Sequence, residues 1–338
     1  MILVTGGTGL IGAHLLYSLT NSGYEPVALK RKTSDVSKTL KTFSFYTSTP
    51  KKLFEKIKWI ETDILDYYSV RESLKNITQI YHCAATVSFQ SSDKETLLAT
   101  NISGTTNIVN ACLEQKNIKL VHVSSIGTLG RAESEGIVTE ETQWNNKKTS
   151  VYSTSKYHSE MEVWRGIAEG LNAVIVNPSI IIGPGDWTTG SPKLFTTMYN
   201  GLKFYSSGTN GFVDVSDVVI AMTTLMNSSI HSERFILNSE NISYENLFTT
   251  MSRALDIKPP AYRASKFIGE LGWRAYWVIG KIKGTSPTIT KETAETANQH
   301  YRYSNDKIRK ETGMSFITVE ESLAKTAKLF LLDHINGK

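Results

Sequence analysis

Met1-Ile2-Leu3-Val4-Thr5-Gly6-Gly7-Thr8-Gly9-Leu10-Ile11-Gly12 is the stretch whose reading decides the fold. Met1 to Val4 is a short continuous apolar run, the pattern of a parallel strand buried on both faces. From Ala13 to Leu19 an amphipathic helical pattern follows. A strand, a Gly-rich turn and a helix N-terminus in that order make a pyrophosphate site, because free backbone N–H groups and the helix dipole favour anions there. Gly6 permits the tight turn, Gly9 lets the backbone approach the phosphates, and Gly12 lets the helix pack closely on the strand. The segment predicts a bound dinucleotide held by Gly6, Thr8, Gly9, Leu10, Ile11 and Gly12.

Gly6, Gly9 and Gly12 are each separated by two residues, whereas the common dehydrogenase fingerprint spaces its first two glycines by one. Thr-Gly-x-x-Gly-x-x-Gly resembles the turn of the extended short-chain dehydrogenase/reductase family. The resemblance implies further marks downstream. In Tyr152-Ser153-Thr154-Ser155-Lys156, tyrosine and lysine four apart share one face of a helical run that reaches about Gly170. A phenol ordinarily titrates near pKa 10, and a neighbouring ammonium favours the phenolate and lowers that value. Alone, the pair also fits a half-buried Tyr beside a solvated Lys. After the matching glycine turn it resembles the family's proton-transfer pair.

Lys119-Leu120-Val121-His122-Val123-Ser124-Ser125 reads as a strand ending in two serines, at the sheet edge where ligands bind in open parallel sheets. A hydroxyl there can hold a substrate carbonyl, or it can satisfy backbone groups. In the family the catalytic Ser or Thr lies five residues before the glycine closing this loop. Gly130 matches that glycine, which implies Ser125, with Ser124 in reserve. The expected catalytic set is Ser125, Tyr152 and Lys156.

Other stretches carry the resemblance onward. Asp63-Ile64-Leu65-Asp66 is similar to the family's adenine-contacting turn, although either Asp also suits a helix cap. Cys83-Ala84-Ala85 resembles the small-residue turn under the nicotinamide ribose, where Ala84 and Ala85 let the cofactor pass. Asn101-Ile102-Ser103-Gly104-Thr105 matches an Asn-x-x-Gly-Thr on the next helix, with Asn101 supporting the site or serving the fold alone. Asn177-Pro178-Ser179 and Ile182-Gly183-Pro184-Gly185 resemble the segment covering the nicotinamide amide, which adds Pro178 to the cofactor contacts, along with Tyr152 and Lys156. Gly211 to Val218 resembles a late strand and helix start. In all, the resemblance covers about residues 1 to 240.

NAD-specific members end their second strand in an acid that binds the ribose 2′-hydroxyl. Here Glu25 to Leu29 is followed by Lys30-Arg31-Lys32, and the next acid is Asp35. Cations at that place attract a 2′-phosphate, and Arg holds it bidentately. NADP(H) is therefore expected over NAD(H), with Arg31 the principal contact.

The chain of 338 residues is long enough for a full core, and 40% hydrophobic with 20% charged residues describes an ordinary globular protein. Net charge is +5 with Lys and Arg scattered, which gives no nucleic-acid footprint. Only Cys83 and Cys112 are present, so a disulfide framework is excluded and a reducing, cytoplasmic setting is expected. With Met1 beginning a core strand, no signal peptide is expected. The seven histidines lack paired ligand spacing, so no metal is expected.

Strand and helix patterns alternate from Met1 to Asn177, which predicts an α/β, doubly wound parallel sheet of the Rossmann type. Thr33 to Glu55 reads as a longer excursion than that fold needs, a helix between loops. After Pro178 the alternation weakens, and the resemblance implies a smaller, mostly helical C-terminal substrate domain. The expected division is 1–178 with 211–238 for the NADP(H)-binding domain and 179–210 with 239–338 for the substrate domain. Glu245 to Leu255 and Val319 to Leu332 fit amphipathic helices of the latter. Phe267 to Gly280 is aromatic-rich and flanked by lysines, yet short of a membrane span. It fits packing in the small domain, a wall of the substrate pocket, a homodimer contact or an interfacial helix, and membrane contact is not the expected use.

The resemblance points to the dihydroflavonol reductase, cinnamoyl-CoA reductase and 3β-hydroxysteroid dehydrogenase branches. It implies reduction of a small-molecule carbonyl or oxidation of the corresponding alcohol, and an apolar wall built by Phe267 to Gly280 would favour a bulky, apolar substrate. A nucleotide-sugar epimerase or dehydratase is the alternative, although Thr128 and Leu129 supply no acid and base after the serine. A silent NADPH-binding scaffold is a third. Substrate specificity is expected from Ser88 to Ser92, Ile126 to Arg131 and the small domain.

Overall fold

Seven short strands form the central sheet: β1 Ile2–Thr5, β2 Val27–Lys30, β3 Lys58–Glu61, β4 Gln79–His82, β5 Lys119–Val123, β6 Asn172–Pro178 and β7 Glu233–Leu237. They lie in the order β7-β6-β5-β4-β1-β2-β3, and every neighbouring pair is parallel. The computed structural model describes residues 1–87, 93–130, 136–145, 150–264 and 298–336. Parallel neighbours need crossovers, and helices supply them on both faces. The strand order reverses at β1, so a crevice opens between the carboxyl ends of β1 and β4.

Side chains alternate strictly across this sheet. Val4, Ala28, Tyr81, Val121 and Val174 join Leu15, Leu16, Val218, Met222 and Leu225 in one core. Leu3, Val27, Ile80, Leu120 and Ala173 join Val70, Ile108, Val109 and Val163 on the other face. The period of two divides each apolar run between two cores, so strands of four to seven residues suffice.

Residues 33–55 form two short helices, Ser37–Ser44 and Pro50–Phe54, rather than one helix between loops. They pack on the first helix, Leu10–Asn21. Tyr17 stacks on Tyr46 and meets Phe43 edge-on, while the buried His14 reaches Tyr46 Oη through Nε2 at 2.8 Å and the Leu10 carbonyl through Nδ1 at 2.7 Å. Thr39 Oγ1 donates to the Gly7 carbonyl at 2.9 Å, so the excursion braces the glycine turn.

A three-stranded sheet (Ile180–Ile182, Thr209–Asp214, Glu240–Ser243) accompanies the helices Tyr244–Leu255 and Val319–Asn336. Phe195, Phe212, Phe248, Met251, Leu323 and Phe330 build a separate apolar cluster there. This portion mixes sheet and helix more evenly than its sequence suggests, because strands of three to six residues carry too few positions for a period of two to register.

At the first turn the packing tolerates no side chain. A Cβ on Gly12 would lie 2.2 Å from the Gly6 carbonyl oxygen, whereas one on Gly9 would lie 3.3 Å from the same atom. Gly12→Ala is expected to lower stability by about 1–3 kcal/mol through overpacking, and Gly9→Ala by less. Thermal unfolding followed by circular dichroism checks this, and a Gly12→Ala melt matching the parent would show slack in the turn.

Candidate active site

The carboxyl end of β5 and the helix Val151–Ala168 meet at the crevice. Ser150 caps that helix by accepting from the Ser153 N–H at 2.8 Å, which fixes where its first turn begins. Tyr152 is in the first turn, half-buried, and its phenol is hydrogen-bonded to the Ser125 hydroxyl. Ser125 Oγ also accepts from the Gly127 N–H at 3.1 Å, capping a short 3-10 turn at Ile126–Thr128. Gly130 closes the loop where a Cβ would strike the Gln143 carbonyl at 1.7 Å, so only glycine fits. One turn beyond Tyr152, Lys156 is 2% exposed and its Nζ donates to the Val123 carbonyl at 2.8 Å. Ser124 points elsewhere, donating to Glu160 Oε2 at 2.5 Å.

Burial pulls the Lys156 ammonium down to about 8, opposed by the negative charge of Glu160 and by Cys83. Burial also raises the Tyr152 phenol, and the Ser125 hydrogen bond only partly offsets it. The sequence reading expected a phenol lowered by lysine. In the free chain desolvation dominates instead, and the Lys156 ammonium is bonded to a backbone carbonyl. At neutral pH the phenol therefore keeps its proton, the form that donates.

The first helix starts at Gly9 without any side-chain cap and without an acid in its first turn. Its first helical bond runs from the Ala13 N–H to the Gly9 carbonyl, which leaves the amides of Leu10, Ile11 and Gly12 without intrahelical acceptors. Elsewhere Asp66, Ser150, Asp214 and Ser243 cap their helices. An uncapped helix end beside a glycine turn fits a pyrophosphate. Gly6, at φ +69°, packs against the loop after β4, where a Cβ would lie 2.6 Å from the Ala84 nitrogen. Thr5 Oγ1 accepts from that Ala84 N–H at 3.1 Å. Ala85 is exposed beside it, and Pro178 is buried at the end of β6.

At the far end of the crevice a cleft of about 390 Å³ is lined by Arg31, Lys32, Thr33, Glu61, Asp63 and Ser69 among others. Arg31 and Lys32 are exposed and make no ion pair among the described residues. Asp35 is occupied in accepting from the Ser37 N–H and hydroxyl, at 2.9 and 2.6 Å. Asp63 Oδ1 accepts from the Leu65 N–H at 3.0 Å, and Asp66 is the residue that caps the next helix. Ile64 is buried against Gly104, its carbonyl taken by Asn107 Nδ2 at 2.9 Å. Asn101 sits in a π-helical turn, Ala99–Ser103, exchanging hydrogen bonds with the Thr86 backbone and donating to Ser155 Oγ at 2.9 Å. Its amide is thus turned to the loop after β4 and to the Tyr–Lys helix.

Ser125, Tyr152 and Lys156 are brought together, while Arg31 and Asp63 share the distant cleft. Ser88 to Ser92, Arg131 and Phe267 to Gly280 lie outside the described residues. Several buried groups escaped sequence reading. His82 contacts Thr5 Oγ1 at 2.7 Å and Thr105 Oγ1 at 3.0 Å, and its ring lies 5.2 Å from that of His122. Burial and the nearby Lys156 charge hold both imidazoles neutral, His82 near 3 and His122 well below its ordinary range. Glu160 is fully buried. Its position four residues after Lys156 placed it on the same helix face, a signal that was available.

The chain belongs to the NAD dependent epimerase/dehydratase family, whose model matches residues 2–237. It is an NAD(P)-dependent enzyme of the extended short-chain oxidoreductase type. Cinnamoyl-CoA reductase 1 of Petunia hybrida is 24% identical over 340 residues, spanning 97% of this chain and 91% of that protein. Sterol demethylase protein B of Methylococcus capsulatus is 28% identical over 242 residues, 71% of this chain and 70% of that one. The crystal structure of gox2253 superposes with a TM-score of 0.81 at 26% identity, covering 98% of both chains. No described helix is long and apolar enough to cross a membrane.

Cys83 lies beside Lys156, yet burial pushes its thiol up to about 12, and burial raises Cys112 as well. Both are expected to resist iodoacetamide at pH 8 in the native chain, while the denatured chain takes up two equivalents. Mass spectrometry after timed labelling reads this, and fast native labelling of the half-buried Cys83 would contradict its raised thiol.

Proposed function

We propose that this chain is an NADP(H)-dependent reductase of a bulky, largely apolar carbonyl compound, able to oxidise the corresponding alcohol. One observation carries the proposal: Ser125 and Tyr152 are hydrogen-bonded at the carboxyl end of β5, with the buried Lys156 one turn behind and an uncapped helix end across the crevice. When bound, the nicotinamide supplies the hydride that reaches the carbonyl carbon. Ser125 orients the carbonyl oxygen, and Tyr152 gives its phenolic proton to that oxygen as negative charge develops there. Lys156 has two N–H donors beyond the one on Val123, enough for the ribose hydroxyls, and its charge steadies the phenolate left behind. Residues 1–178 with 211–238 would hold the cofactor, and 179–210 with 239–338 the substrate.

NADP(H) is favoured by the two cations facing the distal cleft and by Asp35 being committed to Ser37. Glu61 also lines that cleft, its backbone in register with Lys30, while Arg31 and Lys32 make no ion pair among the described residues and are available to a 2′-phosphate. A bulky apolar substrate is in keeping with relatives named for cinnamoyl-CoA and sterol chemistry. At the positions after Ser125, the Thr128 hydroxyl is taken by Glu160 and Leu129 is buried, so neither offers the acid or base of a dehydratase.

Tyr152→Phe is expected to bind NADPH normally and lose about 10²–10⁴-fold in turnover, measured by NADPH absorbance across a panel of apolar carbonyl compounds. Near-normal turnover of the variant would remove Tyr152 from the mechanism. Separately, Arg31→Ala should weaken NADPH binding by about tenfold or more, the loss of one charge-assisted contact, and leave NADH binding as it was. Fluorescence titration decides this; equal affinity of the intact chain for both cofactors would overturn the preference.

A further inference from the structure

We propose that Glu160 is a positioning residue of this active site: its carboxylate ties the Ser125 loop to the helix bearing Tyr152 and Lys156, and balances the buried Lys156 ammonium. The proposal rests on the Ser-Tyr-Lys reading above and deepens it.

Glu160 is 0% exposed, and protein donors surround both its oxygens. Oε2 lies 2.5 Å from Ser124 Oγ, 2.6 Å from Thr128 Oγ1 and 2.8 Å from Asn177 Nδ2. Oε1 lies 3.1 Å from Arg234 Nη1 and 3.3 Å from Trp164 Nε1. These donors come from the residue before Ser125, the turn after it, the end of β6, β7 and the helix itself. Asn177 Nδ2 is also 3.1 Å from the Ser125 carbonyl and 2.9 Å from Thr128 Oγ1. The backbone of Ser125 is therefore fixed on both sides by groups that converge on one carboxylate. Its hydroxyl is left to face Tyr152. A structural ion pair would need only Arg234; three further donors around the Ser125 loop go beyond that.

Charge gives a second line. Lys156 is one turn before Glu160 on the same helix face. Glu160 faces it from its own helix, Cys83 from the loop after β4, and His82 and His122 from β4 and β5. Burial raises the Cys83 thiol and keeps the imidazoles neutral, so the charge that opposes the desolvation of Lys156 is chiefly the Glu160 carboxylate. Arg234 is on the far oxygen, its Nε and Nη2 donate to the Glu140 carbonyl, and the Glu140 carboxylate accepts from the Ile236 N–H. Removing the Glu160 charge should let Lys156 lose its proton at lower pH.

The test compares the full-length parent, Glu160→Gln, Thr128→Val and Tyr152→Phe, reading kcat on a carbonyl substrate and NADPH affinity by fluorescence, both against pH. Glu160→Gln should lower kcat by about tenfold or more, as expected for a misplaced reacting group. It should also move the alkaline fall in NADPH affinity to lower pH. Thr128→Val keeps the charge and loosens only the loop, so kcat should drop severalfold with the alkaline limb unmoved. A folded Glu160→Gln with parental kcat and limb, or with a lowered Tm alone, overturns the proposal. If Glu160→Gln fails to fold, Thr128→Val decides, and parental kcat there overturns it. Full turnover by Tyr152→Phe would instead sink the Ser-Tyr-Lys reading, and this proposal with it. Loss of turnover by Tyr152→Phe beside an unaffected Glu160→Gln sinks the positioning role alone.

Discussion

Burying the Lys156 ammonium is the constraint on which the rest of this structure depends. An unpaired charge in a protein interior costs several kcal/mol, so it survives only where acceptors and opposite charge surround it. The Val123 carbonyl supplies the acceptor, and Glu160 the charge. For both to be present, β5 must end at Val123 and the helix must pack with Lys156 and Glu160 turned inward. The register of β4, β5 and β6 sets the first condition. Val163 in the core beneath the helix and Ser150 at its start set the second. Chemistry and packing thus share one set of residues, and a change at the site is also a change to the core.

The opposite wall of the crevice works by omission. The helix at Leu10 carries no side-chain cap, and neither do Ser37–Ser44 and Lys193–Tyr199, but its bare amides stand beside the glycine turn. Amides left without intrahelical acceptors are free for an anion where a glycine turn lets it approach. The brace from Thr39 to the Gly7 carbonyl holds that turn in shape while its donors wait for a partner.

Much of this was legible in the sequence, and the physical reason is locality. The glycine turn, the alternating apolar strands and the Tyr–Lys pair are each specified within a few consecutive residues. The choice between Ser124 and Ser125 came from spacing to Gly130, and the two hydroxyls do diverge, one to Glu160 and one to Tyr152. The illegible features depend on partners far apart in the chain. Arg234 reaches Glu160 across 74 residues, and Asn177 joins Ser125 across 52. The direction of the Tyr152 shift also depends on burial, which no local pattern reports. Asn101 was left between two uses, and its amide is occupied by Thr86 and Ser155.

The buried imidazoles carry a further consequence, for acid lability. His14 is drawn down to about 4 and His82 to about 3 by burial, and His122 is lowered as well. In the unfolded chain each would bind a proton near pH 6.5. Below that pH the unfolded state holds protons that the folded state refuses, so unfolding takes up protons and stability falls as pH falls. Each imidazole removes about 1.4 kcal/mol per pH unit between about 6.5 and its folded value. Three acting together lower stability progressively as pH falls below about 6.5, while Asp217, whose carboxyl burial raises to about 6, works in the opposite sense over the same range.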